Sequence, residues 1–193
     1  MTIAKGEPWG ITAPLPPSAP VVATDADAAA GYDVVGLLGG DLCRTLGGRG
    51  SRERLSSTEA MTFPVDALLV SLDGGPPVRA VAHVVARTRG WRHVFVAANA
   101  QWIGPLNVAP RGHPDDGLVD LLAWDLGWRA ARQVLARMRH GAHLPHPGIS
   151  ASARTSVMVA FDAPRPVWVD GVRVGRARAL SVTVEPDALR VVV

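Results

Sequence analysis

Asp115, Asp116 and Asp120 fall in one short run, GHPDDGLVD, and are the first residues whose types and spacing invite chemistry. Two adjacent carboxylates ahead of a glycine can orient a nucleophile, hold a cation or cap a turn, and the residues alone leave these uses open. Gly39, Gly40 and Asp41 form a second candidate. A glycine pair lets backbone amides approach a phosphate, and an aspartate beside it can face Mg²⁺; the competing reading is a tight turn with Asp41 as a helix N-cap. Neither GxxxxGK[ST] nor GxGxxG occurs, so the two familiar phosphate cradles are absent as patterns. His140, His143 and His146 invite a metal, but Pro145 and Pro147 force an extended path that points their side chains apart, and no nearby acid completes a ligand set. His83 lies inside an apolar run, where a hydrogen-bonded structural histidine is expected rather than a ligand.

The elements that must position these residues are mostly strands. WRHVFVAANA reads as a buried strand and LVDLLAW as a second, so the segment between them presents Asp115 and Asp116 at the end of a sheet. An apolar strand, Val34 to Leu38, runs into Gly39, and VVATDADAAAGYD before it reads as a short strand and an alanine-rich helical turn. SRERLSSTEAM is a polar connector or short helix. FPVDALLVSL follows as a strand, Asp73-Gly74-Gly75 as a hairpin-like turn, and VRAVAHVVART as one return strand. The one convincing helical period places Trp128, Ala131, Leu135 and Met138 on a single face with arginines opposite, and Gly141 should end it. The remainder is β: TSVMVAFD, then PVWVDGVRVG with a hairpin turn at Asp170-Gly171, then ALSVTVEPDALRVVV with EPDA as another turn.

The expected fold class is therefore α+β and β-rich: an antiparallel β-sandwich with one helix over residues 58–193, preceded by a small αβ part over residues 1–57. The proline-rich start, GEPWGITAPLPPSAP, suggests an extended leader packed by Trp9; Lys5 and Trp9 are read as a docked terminus ahead of a ligand contact. A chain of 193 residues that is 48% apolar can bury a substantial core. No apolar run approaches the roughly 18 residues of a membrane span, and the first residues lack the apolar stretch of a signal peptide, so a cytoplasmic protein is expected. Cys43 is the only cysteine, which excludes an internal disulfide and reads as a small buried hydrophobe. The net charge of +3 rests on scattered arginines, with Lys5 the only lysine, so nucleic-acid binding is not expected. The arginine-bearing helix is a candidate surface for an anionic membrane face or a homodimer.

In order, strand-GGD, AANAQWIGPLNVAPRGHPDDGLVDLL, GAHLPHP and PVWVDGVRVGRARALSVTVEPDALRVVV resemble the bacterial diacylglycerol kinase and sphingosine kinase-like lipid kinases. The resemblance is closest to their C-terminal β-sandwich domain, over Phe63 to Val193, and strongest in AP-x(4)-DDG-x-x-D. It implies ATP- and Mg²⁺-dependent phosphoryl transfer to a lipid hydroxyl such as that of diacylglycerol. It casts Asp116 as the base for that hydroxyl with Asp115 beside it, and Gly39, Gly40 and Asp41 as nucleotide contacts. Asp41 and Asp120 become metal candidates, Arg111 lies near the phosphates, and residues 1–57 become a remnant of a nucleotide-binding domain. The chain departs from the family pattern at Leu42 and Cys43, where the family has glycine and threonine, and at His113 and Pro114. About forty residues precede GGD, short for a nucleotide domain, and the family's Asn-Pro motif is absent. Two functions follow: a shortened lipid kinase, or a non-catalytic member that binds a lipid, a phosphate or a partner.

Overall fold

The computed structural model describes residues 9–193. Two short strands, β1 (Ile11–Thr12) and β2 (Val21–Val22), lead into helix α1 (Asp25–Ala28), strand β3 (Val34–Leu37) and helices α2 (Gly40–Thr45) and α3 (Arg52–Leu55). Next come β4 (Met61–Leu72), β5 (Val78–Ala80), β6 (His83–Arg87) and β7 (His93–Ala98). A small hairpin, β8 (Trp102–Ile103) and β9 (Leu106–Asn107), precedes β10 (Val119–Asp125) and helix α4 (Trp128–Met138). The chain closes its sheet with β11 (Ile149–Arg154), β12 (Ser156–Val169) and β13 (Val172–Val192).

One path of hydrogen-bonded strands runs β1-β4-β13-β12-β6-β7-β10-β11, with β5 on the side of β4 and β2-β3 joined in parallel to the end of β13. Leu68 and Val70 of β4 share a core with Phe95 of β7 and Leu121 of β10, strands far apart along that path, so the sheet curls and packs its inner faces together as a sandwich. Alternation is the cause: Leu180, Val182 and Val184 of β13 are all buried at every second position, and each such side chain contributes about 1.5–3 kcal/mol. The opposite face of β6, β7 and β10 is covered by Ala131, Val134 and Met138 of α4. The expected helix is thus present, but Trp128 is 55% exposed: it lies outside the apolar seam, with the Arg92 guanidinium over its ring. A third cluster joins the N-terminal part, through Val35, Leu37, Leu42 and Cys43, to Phe63, Val65, Leu189 and Val191.

Two strand readings need correction. VRAVAHVVART is not one return strand: β5 pairs with β4, whereas β6 pairs with β7 and β12. Val81 and Ala82, between them, are fully buried, so the break leaves no polar or glycine signal in the sequence. EPDA does not reverse the chain either. It is a bulge between Glu185 and Leu189 within β13, with Asp187 at φ 50°, and the strand continues through it. The Asp170-Gly171 hairpin forms as expected, with φ 47° and 79°. Trp9 docks on Phe63 and His113 at ring separations of 4.6 and 4.2 Å, which is the packed leader; Lys5 lies outside the described residues.

Candidate functional site

The glycine turn is built by β3 running out at Leu37 and α2 starting at Gly40, whose φ of 94° suits only glycine without strain. The amides this turn exposes already have an anion. Asp41 N–H donates to Asp25 Oδ2 at 2.6 Å and Leu42 N–H donates to Asp25 Oδ1 at 3.1 Å. A Cβ at Gly40 would overlap the same carboxylate, so the glycine is needed for Asp25 to approach. Asp25 is delivered by α1, whose N-cap Thr24 takes the Asp27 amide. Burial is the main cause that lifts its carboxyl from 3.8 to about 6, with Asp170 and Asp41 adding repulsion against the two amides. Asp41 is therefore not the N-cap: Gly39 holds that position, and Asp25 supplies the capping oxygens from outside the helix. Leu42 points into the core and is fully buried.

Asp41 turns its carboxylate the other way. Oδ2 lies 2.9 Å from His83 Nε2, and Oδ1 accepts the Gly104 amide at 2.9 Å. Gly104 sits in the β8-β9 flap, which is fastened to α2 by Arg44: its guanidinium donates to the Gly104 carbonyl at 2.8 Å and lies 3.4 Å from the centre of the Trp102 ring. His83 is 3% exposed, and its Nδ1 has no partner among the described residues. Burial alone would lower its pKa; the Asp41 hydrogen bond and the charges of Asp170, Asp41 and Asp25 outweigh that and leave it raised. Asp170, at the hairpin turn, reaches inward and accepts the amides of Val81, Ala82 and His83 at 2.8–2.9 Å. Its own pKa is raised by burial. Ligand atoms of Asp25, Asp41 and His83 all lie within 4.8 Å of one another.

The DDG loop is supported from below by Asp66 of β4. Its carboxylate accepts Gly117 N–H at 2.8 Å and Asp187 N–H at 3.0 Å. Asn99 Nδ2 donates to the carbonyls of Asp66 and Val81, so it links this support to the backbone held by Asp170. Asp115 faces inward and is 2% exposed, with burial first and then the charges of Asp66 and Asp187 raising its pKa to about 6. Asp116 is half-buried, and its Oδ1 accepts Leu118 N–H at 2.9 Å in a local Asx turn. Asp120, raised to about 6 by burial and then by Asp116, lines a cavity of about 650 Å³ with Arg111, Leu122, Leu144, His146 and Ser152. The three histidines do not converge: His140 is exposed, His143 Nε2 meets the Val108 carbonyl at 3.1 Å, and His146 borders the cavity.

The structure thus brings Asp41 together with Asp25 and His83, and places Asp115, Asp116 and Asp120 in another network. No hydrogen bond or ion pair joins Asp41 to Asp116. Asp25, Asp66, His83, Asn99 and Asp170 are absent from the site expected from the sequence; DG at 170–171 signalled only a turn and VVATDADAAAGYD only a short strand and a helical turn.

Residues 52–193 match the family described as the YegS C-terminal NAD kinase beta sandwich-like domain. Two crystal structures from Bacillus anthracis str. Sterne share the fold. One is named a diacylglycerol kinase: 13% identity, TM-score 0.59, covering 86% of this chain and 78% of that one. The other carries that name provisionally: 11% identity, TM-score 0.61, covering 88% of this chain and 83% of that one. No curated protein matches the chain.

Proposed function

From a chain that belongs to the YegS C-terminal NAD kinase beta sandwich-like family, we propose a non-catalytic member that binds an amphiphile with an anionic head group. The observation that carries this reading is Asp25. Its carboxylate accepts the Asp41 and Leu42 amides, the groups a nucleotide phosphate would need. A second anion there would meet like charge at a buried position, so these residues do not fit ATP. The cavity beside Asp120 supports the binding half of the proposal: Leu122 and Leu144 offer apolar wall, Ser152 a polar contact, and Arg111 a cation that offsets Asp120 for an anionic head group. The neighbours named as diacylglycerol kinases favour a lipid as the occupant. Where such a protein works, in the cytoplasm or against a membrane face, follows from the same reading.

One feature favours the second reading, a shortened lipid kinase. Asp116 is half-buried rather than sealed and sits within the DDG loop that the family resemblance assigns to the acceptor's base. Calorimetry with Mg-ATP, together with co-sedimentation on vesicles containing phosphatidic acid or only phosphatidylcholine, separates the two. The binding reading expects no heat with Mg-ATP, and retention on the anionic vesicles that weakens in Arg111→Ala. Saturable Mg-ATP binding, with phosphate transfer to diacylglycerol that is lost in Asp116→Asn, would overturn it.

A further inference from the structure

We propose that Asp25, Asp41 and His83 form a binding site for a single divalent transition-metal ion, of the Mn²⁺, Fe²⁺ or Zn²⁺ class, beneath the β8-β9 flap.

Two observations converge on it. The first is the donor geometry. One oxygen of Asp25, one of Asp41 and one nitrogen of His83 lie within 4.8 Å of one another, with Asp41 Oδ2 and His83 Nε2 at 2.9 Å. Donors about 2.1 Å from one metal lie about 3.4 Å apart at a tetrahedral angle, so small rotations of the two carboxylates close the set. The second is the imbalance of buried charge. Asp25, Asp41 and Asp170 surround one imidazole, and among the described residues no lysine or arginine forms an ion pair with any of the three acids. A dication offsets what one imidazolium cannot.

The surrounding groups are arranged as the outer shell of a metal centre. Both carboxylates are held by something other than the ion, Asp25 by two amides and Asp41 by the Gly104 amide on the oxygen opposite His83, while Asp170 fixes the backbone of His83. Two carboxylates and one imidazole favour Mn²⁺, Fe²⁺ or Zn²⁺ over Mg²⁺, which prefers oxygen alone, and over Cu⁺, which prefers sulfur. Binding displaces the proton that His83 and Asp41 share, and that proton leaves to solvent. Asp41 is the most exposed of the three, so the ion reaches the site past the flap held by Arg44 and Trp102. Each Asp25 oxygen keeps a lone pair for the metal while accepting an amide, and the site does not require the lipid-binding reading, because Asp25, Asp41 and His83 lie outside the lining of that cavity.

The test uses the intact protein. Titration of ¹⁵N-labelled protein with Mn²⁺ should broaden the amide signals of Leu42, His83 and Gly104 first, while those of Ser152, on the cavity, persist. Zn²⁺ calorimetry should show one ion per chain. Affinity should fall at least about tenfold in Asp41→Asn and in His83→Gln, and stay unchanged in Asp162→Asn, an exposed acid elsewhere. The Mn²⁺ titration needs no variant, so a variant that fails to fold leaves it decisive. Broadening centred on His146 and Asp120, broadening spread over surface acids, or Mn²⁺ binding that appears only when ATP is added would each overturn the assignment. None of these readouts uses lipid, so failure of the metal site and failure of the lipid-binding reading are told apart.

Discussion

Replacing Asp115 by asparagine should make the protein more stable at neutral pH. The Asp115 carboxyl is 2% exposed and is lifted from 3.8 to about 6, by burial first and by Asp66 and Asp187 next. An acid whose folded pKa lies above its unfolded value binds more protons when folded. Its contribution is therefore best below about pH 3.8, declines as pH rises through about 6, and is a constant penalty above that. The penalty at pH 7.5 is about 3 kcal/mol. Burying the asparagine amide returns about 1–2 kcal/mol of it, leaving a net gain of about 1–2 kcal/mol and a rise in Tm of about 2–8 °C. The more decisive quantity is the pH dependence, because the cost of the amide does not change with pH. Between about pH 7.5 and about pH 5 the advantage of Asp115→Asn over the parent should shrink by about 1.4 kcal/mol. Urea denaturation of both proteins at the two pH values measures it. Parallel stability curves would refute the reasoning, because they would mean that Asp115 titrates in the folded state as it does in the unfolded chain.

Removing Asp170 strips three amides of their acceptor: Asp170→Ala should cost at least about 3 kcal/mol in urea denaturation, with faster hydrogen exchange at Val81 to His83. Gly40→Ala should lower stability by about 1–2 kcal/mol more than Gly47→Ala by thermal unfolding. Both glycines have positive φ, but only at Gly40 does a Cβ meet Asp25, so equal losses would mean that the carboxylate is not lodged there. Arg44→Ala should speed amide exchange in residues 102–107 several-fold with little change in global stability, because it releases the flap and not the core. An equal drop in the protection of β4 and β13 would show that the flap and the sheet unfold together.

Much of the sheet was legible because β-branched and aromatic apolar runs and DG turns are local signals, as in β7, β10 and the Asp170-Gly171 hairpin. The split of β5 from β6 was not, since Val81 and Ala82 are as apolar as their neighbours and the backbone groups that turn there are satisfied by Asp170, far away in sequence. Asp41 was legible as a residue but not in its partners. Asp25 precedes it by 16 positions and His83 follows it by 42, and no spacing rule links a helix start, a glycine turn and a strand residue. Similarly, the DDG acids stood out, whereas Asp66 and Asn99, which hold that loop, looked like ordinary members of a strand and its end. A carboxylate that serves backbone amides has no pattern of its own, because any turn can supply them.

Strand β13 follows in the chain every strand it joins. Val34 of β3 meets Arg190 across 156 positions, and Val191 and Val192 pair with Phe63 and Thr62 as well as with Val35 and Gly36. A ribosome releases the glycine turn, α1 and α2 long before the segment that locks them to the sheet. Until then Val35 and Leu37 lack the part of their cluster that Leu189, Val191 and Val193 supply, and an unpaired strand edge stays open. Folding must close very long loops before its largest reward, which predicts a slow final step and a nascent chain that depends on chaperones. The pocket of acids around His83 is thus among the last parts of the molecule to come into being, although half of its residues are made first.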